Sequence, residues 1–229
     1  MATIRNLVID AVRPAPLAAF WAELLRWEIL AEEDAGGRTV VRAPATDGCE
    51  IDLVFAPVRE PKARAVKNRI HLDLASRSPE DQAARIDGAV GLGARPWDIG
   101  QGAVPWEVMI DPEGNEFCVL EPRPGYTTTE AIAAVVVDAL DPPALATFWA
   151  SASGWRIGAR ESVIVGLRAP NGRGPWCEFL RTDEPRRLPN RLRLEIAGAA
   201  PEGLRELGAR VAAGRFADPE GNEFLLSPG

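Results

Sequence analysis

The stretch DPEGNEF occurs twice in the chain, at residues 111–117 and again at residues 218–224. An identical string of this length is not expected by chance in a chain of 229 residues. Aspartate accepts backbone N–H bonds at the start of a turn, proline presets φ at about −65°, and glycine takes a position of positive φ. The string therefore predicts a tight loop between two antiparallel strands, with the phenylalanine of each copy on one sheet face and its neighbours on the other.

Longer similarities in the same order show that the whole chain is duplicated. The block VIDAVRPAPLAAFWAELLRWEI starts at Val8, and VVDALDPPALATFWASASGWRI starts at Val136. Further along, NRIHLDL at 68–74 corresponds to NRLRLEI at 190–196. The distance between corresponding positions decreases along the chain, so the second copy is the shorter one.

The boundary between the copies lies in EPRPGYTTTE, residues 121–130, which is rich in proline and threonine. Such a composition is typical of a linker. We predict a first domain over residues 1–122, a linker over 123–130, and a shortened, degenerate second domain over 131–229.

Each copy reads as two half-modules of similar order. TIRNLVIDAV predicts a strand, and Leu17, Trp21 and Leu25 recur at the spacing of an amphipathic helix. Strands follow, then NRIHLDLA and a second helix opened by Ser78 before a proline. Each half-module thus reads strand, helix, two strands, with room for one more short strand, and the fold class is α+β.

Composition and charge exclude several functional classes. The net charge is −7 and neither half of the chain is basic, which argues against binding nucleic acid or an anionic membrane. The three widely spaced cysteines, Cys49, Cys118 and Cys177, predict no disulfide framework. No signal peptide and no apolar run of about 18 residues is present, so we expect a cytoplasmic protein.

These blocks together resemble the vicinal-oxygen-chelate superfamily, and more narrowly its glyoxalase-like and bleomycin-resistance branch. The resemblance is carried by PLAAFWAELLRW, IHLDL, LGAR and DPEGNEFCVLEP, and it covers nearly the whole chain. It implies tandem glyoxalase-like domains, each of paired βαβββ modules with curled mixed sheets around a cleft. The copies would pair within one chain as a monomer, or the chain would form a homodimer.

The resemblance also implies up to four metal-ligand positions in each domain. In the first copy these fall on Asn6, Asp52, His71 and Cys118, where the family pattern prefers His or Gln, Glu, His and Glu. Only His71 matches, and a cysteine beside hard oxygen ligands suits no hard divalent ion. We therefore expect no cofactor. If a divalent metal such as zinc binds, its ligands would be His71, Asp52 and Cys118.

The second copy departs further from the family pattern. The corresponding positions are Ala134, Glu178, Arg193 and Leu225, and only Glu178 could ligate a metal. Arg193 replaces the histidine, and we expect it to form an ion pair with Glu178.

His71 is the only histidine, and it has two competing interpretations. It is either a hydrogen-bonded strand residue or a catalytic proton carrier that Asp52 orients. A Cys118–His71 nucleophilic pair is a further alternative. The predicted first-domain cleft is built from Asn6, Asp52, His71, Asp73, Glu116 and Cys118.

Four of the seven tryptophans have positions that predict a role, and they form two groups. Trp21 and Trp149 follow helical apolar spacing and should pack in the core. Trp106 and Trp176 begin strands near the predicted cleft mouths, where they could stack on a flat ligand. The loop RPWDIGQGAVPW, residues 95–106, could cover the first cleft. The complete predicted ligand-binding set is Asn6, Asp73, Trp106, Glu116, Cys118, Trp176, Glu178 and Arg193.

The leading functional hypothesis is a protein that binds a small organic molecule in the first-domain cleft without metal, of the antibiotic-binding kind. A second hypothesis is a lyase, isomerase or dioxygenase on a small oxygenated substrate, using His71 or a metal. A third is a structural or interaction protein whose clefts are relics. The partner in the first two cases is a small molecule.

Overall fold

The computed structural model describes residues 2–30, 36–63, 66–100, 102–212 and 214–229, with only the backbone of residue 212. The first copy contains eight strands: β1 (Thr3–Ala11), β2 (Glu28–Leu30), β3 (Thr39–Arg42), β4 (Asp52–Pro57), β5 (Ile70–Leu74), β6 (Arg95–Pro96), β7 (Glu107–Ile110) and β8 (Glu116–Val119). The second copy contains the other eight: β9 (Ile132–Ala139), β10 (Arg156–Arg160), β11 (Ile164–Arg168), β12 (Trp176–Arg181), β13 (Leu192–Ala197), β14 (Arg210–Ala212), β15 (Arg215–Ala217) and β16 (Glu223–Ser227).

One α-helix follows the first strand of each half-module. They are α1 (Pro14–Leu25), α2 (Pro79–Gly91), α3 (Pro142–Ser153) and α4 (Pro201–Glu206). All four begin with proline, whose missing N–H needs no partner in the first turn. Ser78 caps α2 as predicted, since its hydroxyl accepts from Asp81 N at 3.2 Å. The extra strands β2, β6, β10 and β14 complete the four half-modules as βαβββ. None of the helices within the described residues is long and apolar enough to cross a membrane.

The sixteen strands form two eight-stranded mixed sheets, each built from both copies. Sheet A has the order β14-β15-β16-β13-β1-β4-β3-β2, and sheet B has the order β10-β11-β12-β9-β5-β8-β7-β6. The expected α+β fold of paired βαβββ modules is therefore confirmed. Each sheet joins the first half-module of one copy to the second half-module of the other copy.

The joints between copies are the antiparallel pairs β1–β13 and β5–β9. Every residue of β5, β9 and β13 is buried, so each joint lies at the centre of its sheet. In sheet B, His71 stands opposite Val136 and Asp73 stands opposite Ala134. The backbone bonds of this joint would be lost if the two copies separated, so the copies cannot come apart without opening both sheets.

The half-modules of one copy meet through the aromatic core instead. Trp21 of α1 packs edge-on against Phe117 with ring centroids 5.1 Å apart, and Trp149 of α3 meets Phe224 at 5.3 Å. All four rings are at most 2% exposed. The predicted core role of both tryptophans, and the inward direction of both phenylalanines, are confirmed.

The repeated string forms the same buried hydrogen-bonded loop in both copies. Asp111 N donates to Asn115 O at 2.9 Å, and Asp218 N donates to Asn222 O at 3.0 Å. Gly114 adopts a φ of 86°, which favours glycine at this place in the loop. The string is structural turn chemistry, as its residue types predict.

Each loop also fastens the helix of the preceding half-module. The Glu113 carboxylate accepts from Val12 N at 2.8 Å and Arg13 N at 2.7 Å, at the start of α1. Glu220 accepts from Leu140 N and Asp141 N, both at 2.8 Å, at the start of α3. The loop between two strands of one sheet therefore holds a helix that covers the other sheet.

Candidate functional site

The predicted site residues divide between the two sheets. Sheet A carries Asn6, Asp52 and Arg193, each on a strand of that sheet. Sheet B carries, on or beside its strands, the remaining seven: His71, Asp73, Trp106, Glu116, Cys118, Trp176 and Glu178. The cleft predicted from the first copy alone is therefore wrong, because its residues lie on different sheets. The polar cleft on sheet B, here called cleft B, combines β5 and β8 of the first copy with β9 and β12 of the second.

On the corresponding face of sheet A, here called cleft A, the polar side chains form an ion pair and hydrogen bonds with one another. Arg193 forms an ion pair with Asp10, with Nη1 donating to Oδ2 at 2.9 Å. The expected pair of Arg193 with Glu178 is wrong, because β13 and β12 belong to different sheets. Asn6 donates to Glu195 Oε1 at 3.2 Å.

Asp52 is also engaged within sheet A. Arg42 donates to it from two nitrogens, at 2.9 Å and 2.6 Å. This bidentate arrangement occupies both carboxylate oxygens. Asp52 therefore neither orients His71 nor shares a metal with it, and both predicted roles are corrected.

Cleft B surrounds a cavity of about 170 Å³. Its floor is polar and contains His71, Asp73, Cys118 and Glu178. Its walls are mainly apolar and include Ile99, Trp106, Val108, Leu120, Ile164 and Leu180. The arrangement of apolar walls around a few convergent polar groups is typical of a small-molecule site.

Three floor residues bring potential ligand atoms together. One atom from each of His71, Asp73 and Cys118 lies within 4.8 Å of the other two, and all three residues are buried. His71 Nε2 lies 3.4 Å from Asp73 Oδ1. The alignment is too poor for a hydrogen bond, so Asp73 Oδ1 lacks a hydrogen-bond partner among the described residues. The other ring nitrogen, His71 Nδ1, also lacks one.

Glu178 is the second carboxylate of the floor. The Tyr126 hydroxyl lies 3.2 Å from both of its oxygens and donates to them. Burial raises the pKa of Glu178 to about 7, and the negative charge of Asp73 adds to the effect. Glu178 can therefore gain or lose a proton near neutral pH, which suits an acid–base or ligand-sensing group.

Cys118 does not have the properties of a nucleophile. Burial and the neighbouring Asp73 carboxylate raise the pKa of its thiol well above the usual range. Because the thiolate is the reactive form, the geometry disfavours the Cys118–His71 nucleophilic alternative. Its position does match the family register, since Cys118 pairs with Asp73 across β5–β8 and Leu225 pairs with Glu195 across β13–β16.

Glu116 lines cleft B, but its carboxylate is already hydrogen-bonded to neighbouring residues. It accepts from Lys62 Nζ at 2.8 Å and from Asn68 N at 3.2 Å, and the side chains of Lys62 and Glu116 are 4% and 6% exposed. Glu223 has the corresponding contacts with Arg186 and Asn190 N in the second copy. A pairing found in both copies indicates a structural role rather than ligand binding.

The two candidate stacking tryptophans differ. Trp106 lines cleft B, with the Arg123 guanidinium 5.4 Å from its ring centroid. The Trp176 ring lies over Gly166, where a Cβ atom would come within 2.7 Å of the ring. The Arg168 guanidinium lies 4.9 Å from the centroid of the same ring. Glycine is thus required beneath Trp176, and this ring packs on the sheet instead of facing the cavity.

Two cleft residues come from the segment predicted only as a linker. Arg123 and Tyr126 line the cavity, and Trp176 Nε1 donates to Gly125 O at 3.3 Å. Arg123 is paired with Glu121 at 2.6 Å. The sequence feature that could have drawn attention to this segment is that Tyr126 is the only tyrosine in the chain. The loop before Trp106 contributes Ile99 to the same cavity, so it forms part of the wall.

The donor set fits the family metal positions only in part. The four positions brought together in cleft B are Ala134, Glu178, His71 and Cys118. Alanine supplies no ligand, and Glu178 already accepts from Tyr126. A borderline-soft ion such as zinc could use His71, Cys118 and the adjacent Asp73. Asp73 thus takes the place that sequence reasoning assigned to Asp52.

Comparison with known proteins places these features in a family. The family model described as "Glyoxalase-like domain" matches residues 6–120 and 134–227. The V278E mutant of glyoxalase I from Zea mays is similar in structure, with a TM-score of 0.67 and 15% identity, covering 99% of this chain and 92% of that one. A putative dioxygenase from Bacillus subtilis subsp. subtilis str. 168 has a TM-score of 0.63 and 12% identity, with 99% and 84% covered. The sequence has no significant match among curated proteins.

Proposed function

Because the chain belongs to the glyoxalase-like domain family, we propose that it binds a small organic molecule in cleft B without a metal ion. The observation that carries this proposal is the cavity of about 170 Å³, with apolar walls and a floor whose polar atoms are not all paired. Apolar walls supply the binding free energy, because they remove ligand surface from water. Unpaired polar atoms on the floor favour a ligand that can pair with them.

The contrast between the two clefts supports the same assignment. In cleft A the acidic side chains each accept a hydrogen bond, Asp10 from Arg193 and Glu195 from Asn6, although Arg193 Nε has no partner among the described residues. In cleft B, Asp73 and His71 each keep a buried atom without a hydrogen-bond partner among the described residues. A buried polar atom without a partner is costly, so it is retained where a ligand can supply the missing bond.

Ligand binding can be measured through the fluorescence of Trp106, which lines the cavity. A panel of small aromatic and heteroaromatic compounds is titrated into the wild type, Trp106→Phe and Trp97→Phe. We expect saturable quenching by at least one compound in the wild type and Trp97→Phe, and its loss in Trp106→Phe. Trp97 is a suitable control because it is 39% exposed and lines a different surface depression. Identical quenching in both variants would place the ligand outside cleft B.

A second candidate function is a metal-dependent lyase, isomerase or dioxygenase. It is favoured by the approach of His71, Asp73 and Cys118 to within 4.8 Å of one another. A bound zinc ion would supply Lewis-acid chemistry, and these three residues would hold it.

Metal analysis of protein purified without chelators separates the two candidates. The metal-free proposal predicts substoichiometric zinc, nickel, manganese and iron, with no difference between the wild type and His71→Ala. One equivalent of metal in the wild type that disappears in His71→Ala would contradict it and favour the second candidate. Arg193→Ala is the matched control, since Arg193 holds the corresponding place on sheet A.

A further inference from the structure

Among the described residues, two carboxylates of cleft B have no lysine or arginine as ion-pair partner. Lys67 pairs with Asp138 at 3.0 Å, Lys62 with Glu116 at 2.8 Å, and Arg123 with Glu121 at 2.6 Å. Every lysine and arginine that lines the cavity, or reaches Glu116 from beside it, therefore already has an acidic partner. Asp73 and Glu178 remain, and each is less than a tenth exposed.

Asp73 is the better-defined of the two. It is 9% exposed, it lines the cavity, and its Oδ1 accepts no hydrogen bond from the described residues. A buried ionised carboxylate is strongly unfavourable unless it is paired and hydrogen-bonded. Asp73 Oδ1 is thus an acceptor at the cavity that has His71 Nε2 at 3.4 Å but receives no hydrogen bond from the described residues.

The other floor atoms can complete a site for a group with several donors. Glu178 keeps lone pairs beyond those used by Tyr126, since each carboxylate has about four acceptor sites. His71 Nδ1 is also buried and without a hydrogen-bond partner among the described residues. A primary ammonium carries three donors and a positive charge, which matches these acceptors.

We propose that the ligand of cleft B is a small aromatic amine whose protonated amino group lies between Asp73 and Glu178. The aromatic part then lies against the apolar walls, which include Trp106 and Leu120. This inference rests on the proposed function and adds the chemical class of the ligand.

An organic cation suits the floor better than a metal ion. An ammonium can donate to both carboxylates, which are acceptors when ionised. The apolar walls also match an organic body and would contribute little to holding a bare ion.

The test compares 2-phenylethylamine with 2-phenylethanol, which differ mainly in the charged amino group. Calorimetric titrations at neutral pH use the wild type, Asp73→Asn and Glu178→Gln. We expect the amine to bind about tenfold or more tightly than the alcohol in the wild type. Each of the two variants should lose most of that preference while keeping its affinity for the alcohol.

Glu195→Gln provides the matched control, because Glu195 holds the place of Asp73 on sheet A, across from Leu225 as Asp73 is from Cys118. It should leave the preference for the amine unchanged. Near-ultraviolet circular dichroism establishes that Asp73→Asn and Glu178→Gln are folded, and either variant alone suffices for the test.

Equal affinity for amine and alcohol would overturn the ammonium assignment and leave the small-molecule proposal standing. A preference that survives in both variants would also overturn it, because the cation would be held elsewhere. Failure of these two ligands and of the whole aromatic panel would contradict both proposals. A metal that copurifies and is lost in His71→Ala would show that the cation in cleft B is inorganic.

Discussion

The Asp111→Ala variant is expected to lose about 3–5 kcal/mol of unfolding free energy, because several donors lose their acceptor and each buried group left unpaired costs about 1–3 kcal/mol. Asp111 is 1% exposed. Its Oδ1 accepts from Glu113 N and Asn115 N, both at 2.9 Å. Its Oδ2 accepts from Asn115 Nδ2 at 2.9 Å and from Trp21 Nε1 at 3.4 Å. Truncation leaves these donors buried without an acceptor.

Urea unfolding at neutral pH measures this loss, with Asp183→Ala as the exposed control. Asp218→Ala is expected to show a similar loss, because Asp218 accepts the corresponding bonds from Glu220, Asn222 and Trp149. A loss below about 1 kcal/mol, the size of a single ordinary hydrogen bond, would show that the loop is not the structural joint described above.

The Glu178→Gln variant is expected to become progressively more stable than the wild type as the pH rises. Burial and Asp73 raise the pKa of Glu178 to about 7 in the folded protein, whereas an exposed glutamate titrates near 4.3. The folded protein therefore holds this proton more tightly than the unfolded chain. The resulting stability is fully present below about pH 4.3 and is lost as the pH rises through about 7, amounting to up to ~3 kcal/mol.

Unfolding free energies of wild type and variant, measured at about pH 5 and about pH 8.5, give the test. Other titrating groups such as Asp111 are common to both proteins and cancel in the difference. Glu121→Gln is the control, and its difference from wild type should be nearly independent of pH over this range, because Glu121 is ionised in both states there. Burial acts to raise the pKa of Glu121, but the hydrogen bond from Arg123, a backbone hydrogen bond and the charge of Arg123 together outweigh it, so the pKa is lowered. A difference between Glu178→Gln and wild type that is independent of pH would contradict the assignment.

Much of the local structure could be predicted because it depends on residues close together in the chain. The turn chemistry of DPEGN forms the same loop in both copies, since aspartate, proline and glycine each suit one position of it. The two-residue period of a strand correctly placed His71 and Asp73 on the same face of β5. The relation of Cys118 to Leu225 also followed from counting along the repeat.

The composition of the site could not be predicted in the same way. Periodicity identifies which face of a strand is polar, but it does not identify the neighbouring strand. Asn6 and Asp52 have the right face and belong to the other sheet, while Glu178 comes from the second copy. Arg123 and Tyr126 lie in a segment whose composition is that of a linker, and only its path over sheet B brings them to the cavity.

The amino-acid sequence was enough to derive the duplication, the order of the half-modules, the tight loops of the repeated string and the residue that replaces the usual carboxylate after each loop. The pairing of half-modules into sheets became apparent only in the folded chain. The reason is physical: the joints β1–β13 and β5–β9 are made by backbone hydrogen bonds, which any pair of strand edges can offer. That choice separates Asp52 from His71, brings Glu178 to Asp73 instead, and so decides the chemistry of cleft B.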